Sequence, residues 1–258
     1  MQQIVNHRIY GESGETVFIV HGIFGMLDNW QYHAKLLSSN YRVIAVDVRN
    51  HGKSFHTDSM TYEEMAMDLI DLADHLGINT FHLLGHSMGG KIAMKCAEMF
   101  PDRIRNLIIV DIAPKSYPPG HVPYFKAFLS LPLHSYSSRA EVEEAFEEFV
   151  PEKGVRLFLL KNLEIDPDGG YRTKSNMIAI KKFYEEIIGD LELKEDSFLR
   201  KATFISGANS PYLKEEDKPK IVEAFPKSVF VEVSKAGHWV HAENPQEFYE
   251  KLQIALHA

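Results

Sequence analysis

Cysteine is almost absent from this chain. Cys96 is the only one in 258 residues, and one thiol cannot form an intrachain disulfide, so no covalent framework holds the fold. Long apolar runs are missing as well. None approaches the roughly 20 residues that a membrane-spanning helix needs. The opening stretch, Met1-Gln2-Gln3-Ile4-Val5-Asn6, has neither the basic nor the apolar part of a secretory leader. Positive charge is in the minority, with 28 Lys and Arg against 36 Asp and Glu and a formal net charge of -8. That balance favours solubility and argues against a nucleic-acid partner. The expectation is a cytoplasmic globular protein with neither nucleic acid nor membrane as its partner.

Strand-like and helix-like segments alternate along the chain. Such alternation implies an α/β fold with a mainly parallel sheet covered on both faces. Residues 4–10 read as an edge strand, and Val17-Phe18-Ile19-Val20 as a short strand buried on both sides. A helix over 30–37 and a strand over 42–46 follow. Over 61–76, Tyr62, Met65, Ala66, Leu69, Leu72 and Leu76 recur on one face of an amphipathic helix. Thr61 with Glu64 supplies its capping box and Gly77 its stop. Further strands are expected over 81–84, 104–110, 202–206 and 228–233, with a last helix opening at Asn244-Pro245.

Residues 115–200 differ in character, being richer in helix formers, charge and breakers. Helices are expected there over 124–131, 139–149, 155–163 and 175–188, with a tight turn at Asp166-Pro167-Asp168-Gly169-Gly170. The strand–helix alternation resumes afterwards. The reading is one domain with an insertion: residues 1–113 and 201–258 form the core, and 114–200 a helical cap.

The stretch that organises the chemistry is Gly85-His86-Ser87-Met88-Gly89-Gly90-Lys91. A β-prone run precedes it and a helix-prone run follows, the context of a nucleophile elbow. Glycines two before and two after the serine let strand and helix approach closely. The turn exposes Ser87 Oγ and aims the Met88 N–H, at a helix N-terminus, at a developing oxyanion. The same residues match most of a phosphate-binding loop, but Ile92 stands where that motif needs Ser or Thr for magnesium.

A serine nucleophile needs a base, and the base needs an orienting acid. His238, in Ala236-Gly237-His238-Trp239 behind the last expected strand, is the chosen base, with His241 as its nearest rival. The two histidines form an H-x-x-H pair with no third ligand nearby, so no metal is expected. The acid would ordinarily follow the next-to-last strand, yet that strand runs into Ala208-Asn209-Ser210-Pro211, which carries no carboxylate. Asp111 ends the preceding strand on the same edge of the sheet and is the chosen acid; the competing reading is an Asp that caps a turn. The second oxyanion donor is sought in His21-Gly22-Ile23-Phe24-Gly25, with the Ile23 N–H first and Phe24 second. His21 is expected to brace this loop, and Asp47, Arg49 and His51 to form a stabilising polar cluster.

His21-Gly22-Ile23-Phe24-Gly25, Asp47-Val48-Arg49-Asn50-His51-Gly52-Lys53-Ser54, Gly85-His86-Ser87-Met88-Gly89-Gly90 and Gly237-His238-Trp239 together resemble the α/β-hydrolase superfamily. Leu27-Asp28-Asn29-Trp30, Asp111-Ile112-Ala113-Pro114, Asn209-Ser210-Pro211-Tyr212 and His238-Trp239-Val240-His241-Ala242-Glu243 resemble, within it, the YbfF-type bacterial esterases. That group is described as carboxylesterases that also cleave acyl-CoA thioesters. The resemblance implies a mostly parallel eight-stranded sheet flanked by helices with an inserted helical cap. It also implies a triad acid after the earlier strand, which maps onto Asp111. The chain departs from the wider superfamily in lacking a carboxylate at Asn209-Ser210.

The expected function is a serine carboxylesterase of short- to medium-chain acyl esters, extending by resemblance to acyl-CoA thioesters. Its partner is a small-molecule ester, and no cofactor is called for. The acidic net charge works against a polyanionic CoA ester, and Lys174, Lys181 and Lys182 are a basic patch that offsets it. Carbon–carbon bond hydrolases and perhydrolases keep the same serine and stand as alternatives. A ligand-binding or signalling protein that retains a hydrolase pocket is the alternative from another class.

Overall fold

Apolar runs whose side chains alternate between two faces build the centre of the molecule. The computed structural model describes residues 3–257. Met1, Gln2 and Ala258, which belong to the leader argument and to the outer bounds of the expected core, lie outside the described residues. Strands β1 (His7–Tyr10), β2 (Glu15–Val20), β3 (Tyr41–Val46), β4 (Phe81–His86) and β5 (Ile104–Val110) come first. A separate short hairpin, β6 (Leu163–Ile165) and β7 (Tyr171–Thr173), precedes β8 (Ala202–Gly207) and β9 (Ser228–Val233). The main sheet runs β1-β3-β2-β4-β5-β8-β9, with β1 antiparallel to β3 and the other neighbours parallel.

Helices α1 (Gln31–Leu37), α2 (Tyr62–His75) and α3 (Met88–Met99) belong to the first half. Between β5 and β8 come α4 (Val122–Ser130), α5 (Arg139–Glu147), α6 (Lys153–Leu159), α7 (Met177–Lys182) and α8 (Tyr184–Ile188). The chain closes with α9 (Lys218–Ala224), α10 (Val240–Glu243) and α11 (Pro245–His257). No described helix is long and apolar enough to cross a membrane.

Period-two alternation places Val17, Ile19, Val43, Leu84 and Ile108 on one face, against Trp30, Leu37 of α1, and Phe248 and Leu252 of α11. Phe18, Val20, Ile44, Leu83 and Ile109 point the other way, against α2 and α3. The expected capping box is present: the Thr61 side chain accepts from the Glu64 N–H, and the Glu64 carboxylate from the Thr61 N–H. Gly77 takes a φ of +67°, the left-handed stop expected there.

Three expectations change. Among the described residues the sheet has seven strands rather than eight. Residues ahead of His7 do not extend into another strand, because they are tied to the loop after β3: the Asn6 N–H donates to Ser54 Oγ at 2.8 Å and the Asp47 N–H to the Asn6 carbonyl at 2.8 Å. The segment between β5 and β8 is not all helix, since the turn at Asp166–Gly170 closes the β6–β7 hairpin. The helix expected over 175–188 is two helices, broken at Phe183, whose ψ of 9° leaves the helical range.

Strand order reverses direction at β2: β3 lies on one side and β4 on the other. In an open parallel sheet the crevice beyond the strand ends at such a switch point is where ligands bind. The loop after β2 and the turn after β4 meet there.

Candidate active site

Ser87 sits between β4 and α3 with φ 54° and ψ -123°, a conformation that non-glycine residues seldom hold and that surrounding structure must enforce. The enforcement is visible. The Ser87 N–H donates to the Val110 carbonyl at 3.0 Å, and its own carbonyl accepts the Gly90 N–H at 2.8 Å. A Cβ on Gly85 would run into the Gly89 backbone, and one on Gly89 into the Val20 carbonyl, so the crossing of strand and helix needs both glycines.

The structure brings the three expected polar residues together. His238 Nε2 is 3.1 Å from Ser87 Oγ, and His238 Nδ1 is 2.7 Å from Asp111 Oδ2. Asp111 is fully buried and also takes a left-handed φ, 52°. Its turn off the end of β5 points the carboxylate toward the loops after β8 and β9. Oδ1 accepts the Gly207 N–H at 3.1 Å, and Oδ2 also accepts the Ser210 hydroxyl. Each of these contacts brings a hydrogen-bond donor to the carboxylate.

Two rings pack against the imidazole. Tyr212 stacks on His238 at 3.7 Å with an interplanar angle of 17°, and His86 lies 4.8 Å away on a tilted ring. His86 Nε2 donates to the His238 carbonyl at 2.9 Å, and burial holds the His86 pKa well below the ordinary histidine value, so it packs as a neutral ring. Glu243 accepts the Gly237 and Trp239 N–H groups at 2.8 and 3.1 Å and so clamps the loop that carries His238. His241, the rival base, instead stacks on Trp30 at 4.2 Å, and burial lowers its pKa to about 3. Among the described residues no group of metal-ligating side chains converges.

The loop after β2 distinguishes its two candidate donors. The Phe24 N–H is already used, donating to His51 Nε2 at 3.3 Å. The Ile23 N–H has no partner among the described residues, and Ile23 lies with Ser87 and Met88 on one cavity wall. Met88 opens α3, so its N–H lacks an intrahelical acceptor. His21 braces the loop as expected: its Nδ1 donates to the Gly22 carbonyl at 2.8 Å and its Nε2 accepts the Val48 N–H at 3.0 Å. Burial lowers His21 to about 4 and His51 to about 3, so both work as neutral, single-tautomer struts.

Asp47, Arg49 and His51 are buried and stabilise the loops, but through separate partners rather than as one cluster. His51 Nδ1 donates to the Arg49 carbonyl at 3.1 Å. Asp47 accepts the Leu27 and Lys53 N–H groups at 2.8 and 2.9 Å, and Arg49 makes a bidentate pair with Asp68 at 2.6 and 2.8 Å. Cys96 is buried in the core, with burial pushing its pKa up to about 12.

A cavity of about 500 Å³ opens over Ser87 and His238, walled by Phe24, Tyr124, Leu157, Phe158 and Trp239. Lys161 is the lysine on its wall; Lys174, Lys181 and Lys182 are not on it. Lys174 Nζ instead donates to the Lys161 carbonyl at 2.8 Å, and Lys182 Nζ to the Asp58 carbonyl at 3.3 Å.

Sequence reasoning missed Ser210 and Tyr212. A signal was present. Where the superfamily pattern expects an acid, this chain has a hydroxyl, which can donate to a carboxylate that arrives from elsewhere.

Three comparisons place this geometry among known proteins. The family described as "alpha/beta hydrolase fold" matches residues 15–245. Esterase YbfF of Escherichia coli (strain K12) is 36% identical over 245 residues, covering 95% of this chain and 94% of that one. The sn-1-specific diacylglycerol lipase ABHD11 of Danio rerio is 35% identical over 251 residues, covering 94% of this chain and 78% of its own length. A solved structure titled "Marine microorganism esterase" superposes with a TM-score of 0.93 at 35% identity, covering 98% of this chain and 99% of that one.

Proposed function

This chain belongs to the α/β-hydrolase family, and on that premise we propose that it is a serine hydrolase of carboxylic esters working through Ser87, His238 and Asp111. Residues 114–200 are the cap of this enzyme. The observation that carries the reading is the unbroken hydrogen-bonded series from Ser87 Oγ through both nitrogens of His238 to a buried Asp111, opening on a largely apolar cavity. The esterase and lipase names of relatives at 35–36% identity support the same bond type.

Ser87 Oγ attacks the ester carbonyl carbon as its proton passes to His238 Nε2. The carbonyl oxygen becomes an oxyanion that accepts from the Ile23 and Met88 N–H groups, each such donor being worth about 3 kcal/mol in the transition state. Asp111 keeps the imidazole in the tautomer that leaves Nε2 free to accept, and stabilises the imidazolium that results. The carbon–oxygen bond to the alcohol then breaks, and the departing oxygen takes the proton from Nε2. An acyl group remains on Ser87. Water gives a proton to His238, attacks the acyl carbon, and releases the carboxylic acid with Ser87 restored. The same steps serve a thioester, with a thiol as leaving group.

The test is hydrolysis of p-nitrophenyl acetate by wild type and Ser87→Ala side by side. Loss of the nucleophile should lower kcat by roughly 10⁶-fold. Equal turnover by the two proteins would remove Ser87 from the mechanism.

A further inference from the structure

Ser87 lies on the walls of two cavities of very different size. The larger, about 500 Å³, has His238 and Trp239 on its wall. The smaller, about 20 Å³, shares Ile23 and Ser87 with the larger and is otherwise walled chiefly by Met88, Ile112, Ile187 and Ile188; His238 is not on its wall. A water needs roughly 10–15 Å³ of such space, so the smaller cavity holds one water-sized or methyl-sized group.

The wall of the small cavity is tied down at three consecutive carbonyls. The Ile187 carbonyl accepts the Tyr62 hydroxyl at 2.7 Å, and the Ile188 carbonyl accepts the Tyr117 N–H at 2.8 Å. The Gly189 carbonyl accepts the ammonium of Lys91, which also donates to the Lys115 carbonyl at 2.8 Å. Tyr62 and Lys91 are buried, so water does not compete for these bonds. Widening the cavity by a methylene requires breaking one of them or displacing close-packed side chains.

Proton transfer dictates which half of an ester faces which cavity. The leaving oxygen must receive its proton from His238 Nε2, so it lies on the His238 side of the carbonyl carbon. The acyl substituent points away from His238. We infer that the small cavity is the acyl subsite and admits an acetyl-sized group, while the large apolar cavity receives the alcohol. The preferred substrates are therefore acetate-type esters of bulkier alcohols, and Ile187 and Ile188 set the acyl limit. This rests on the ester-hydrolase reading and narrows its acyl range to the short end.

Hexyl acetate and ethyl hexanoate are isomers that differ only in which side of the ester is long. Wild type should hydrolyse hexyl acetate with a kcat/KM at least ~10-fold above that for ethyl hexanoate, since one surplus methylene in a filled apolar pocket already discriminates by about that much. Ile188→Ala should narrow the ratio by raising turnover of ethyl hexanoate. Ile187→Val, a smaller change, should act in the same direction even where the first variant folds poorly. Equal rates or a preference for ethyl hexanoate in wild type overturn the assignment and leave the esterase reading standing. A wild-type preference that both variants leave untouched removes Ile187 and Ile188 as its cause. No turnover of either ester, or of p-nitrophenyl acetate, overturns the reading on which the inference rests.

Discussion

The two sides of Ser87 are built differently although residues between β5 and β8 contribute to both. On one side the polar groups are bonded: the carboxylate of buried Asp111 accepts from Gly207, Ser210 and His238, and the carbonyls of residues 187–189 accept from Tyr62, Tyr117 and Lys91. On the other side, α6 presents Leu157, 42% exposed, and a half-buried Phe158 that meets Trp239 at 5.7 Å. The helix is joined to the loop after β2 through a residue beyond its end, where Asn162 Nδ2 donates to the Phe24 carbonyl at 2.7 Å. Buried, fully paired polar groups rigidify a structure, and an apolar wall partly open to solvent adapts. One side is thus suited to holding reacting atoms, the other to accepting varied substrate.

Of the changes that separate the two sides, the largest effect is expected on the bonded side. Asp111→Asn should lower kcat by ~10³–10⁴-fold for every ester, with the circular dichroism spectrum retained, because the imidazole loses the acceptor that sets its tautomer. A variant with near-normal turnover would show that the bonded side does not serve the chemistry.

Acid should act on the buried histidines around the site, of which His21, His121 and His241 line the larger cavity. Burial lowers His21, His33 and His121 to about 4 and His51 and His241 to about 3, against about 6.5 in an unfolded chain. Between these values the unfolded chain binds protons that the folded protein does not. Stability should therefore fall as pH drops from about 6.5 toward 4 and be complete above 6.5, changing by up to roughly tenfold in the unfolding equilibrium per pH unit for each histidine. Urea midpoints at pH 7 and pH 5 measure this, and equal midpoints would mean that these rings do not stay neutral in the fold.

The smallest effect belongs to the open wall. Leu157→Ala should raise KM several-fold for esters of bulky alcohols and leave kcat for p-nitrophenyl acetate within about twofold, since a half-exposed side chain removes little apolar contact. A large loss of kcat on every substrate would erase the contrast between the two sides.

Much of the fold was legible in the sequence. The strands at 104–110 and 228–233, the capped helix from Tyr62 and the turn at Ser87 follow from local causes: apolar period, a reciprocal Thr61–Glu64 cap, and glycines where a Cβ has no room. Residues 115–200 were less so, because short helices and a three-residue-stranded hairpin carry weak periodicity and take their form from packing.

Ser87, and His238 behind the last strand, could be chosen from residue type and chain order alone, because an elbow and a loop at a strand's end are local features. Tertiary structure decided the rest. Asp111 meets His238 across 127 residues of sequence, Ser210 reaches the same carboxylate from the loop after β8, and Tyr212 covers the imidazole. The Phe24 N–H is taken by His51, 27 residues away in sequence. Hydrogen bonding and ring stacking act over a few ångströms, and only the folded sheet brings the ends of β4, β5, β8 and β9 that close together.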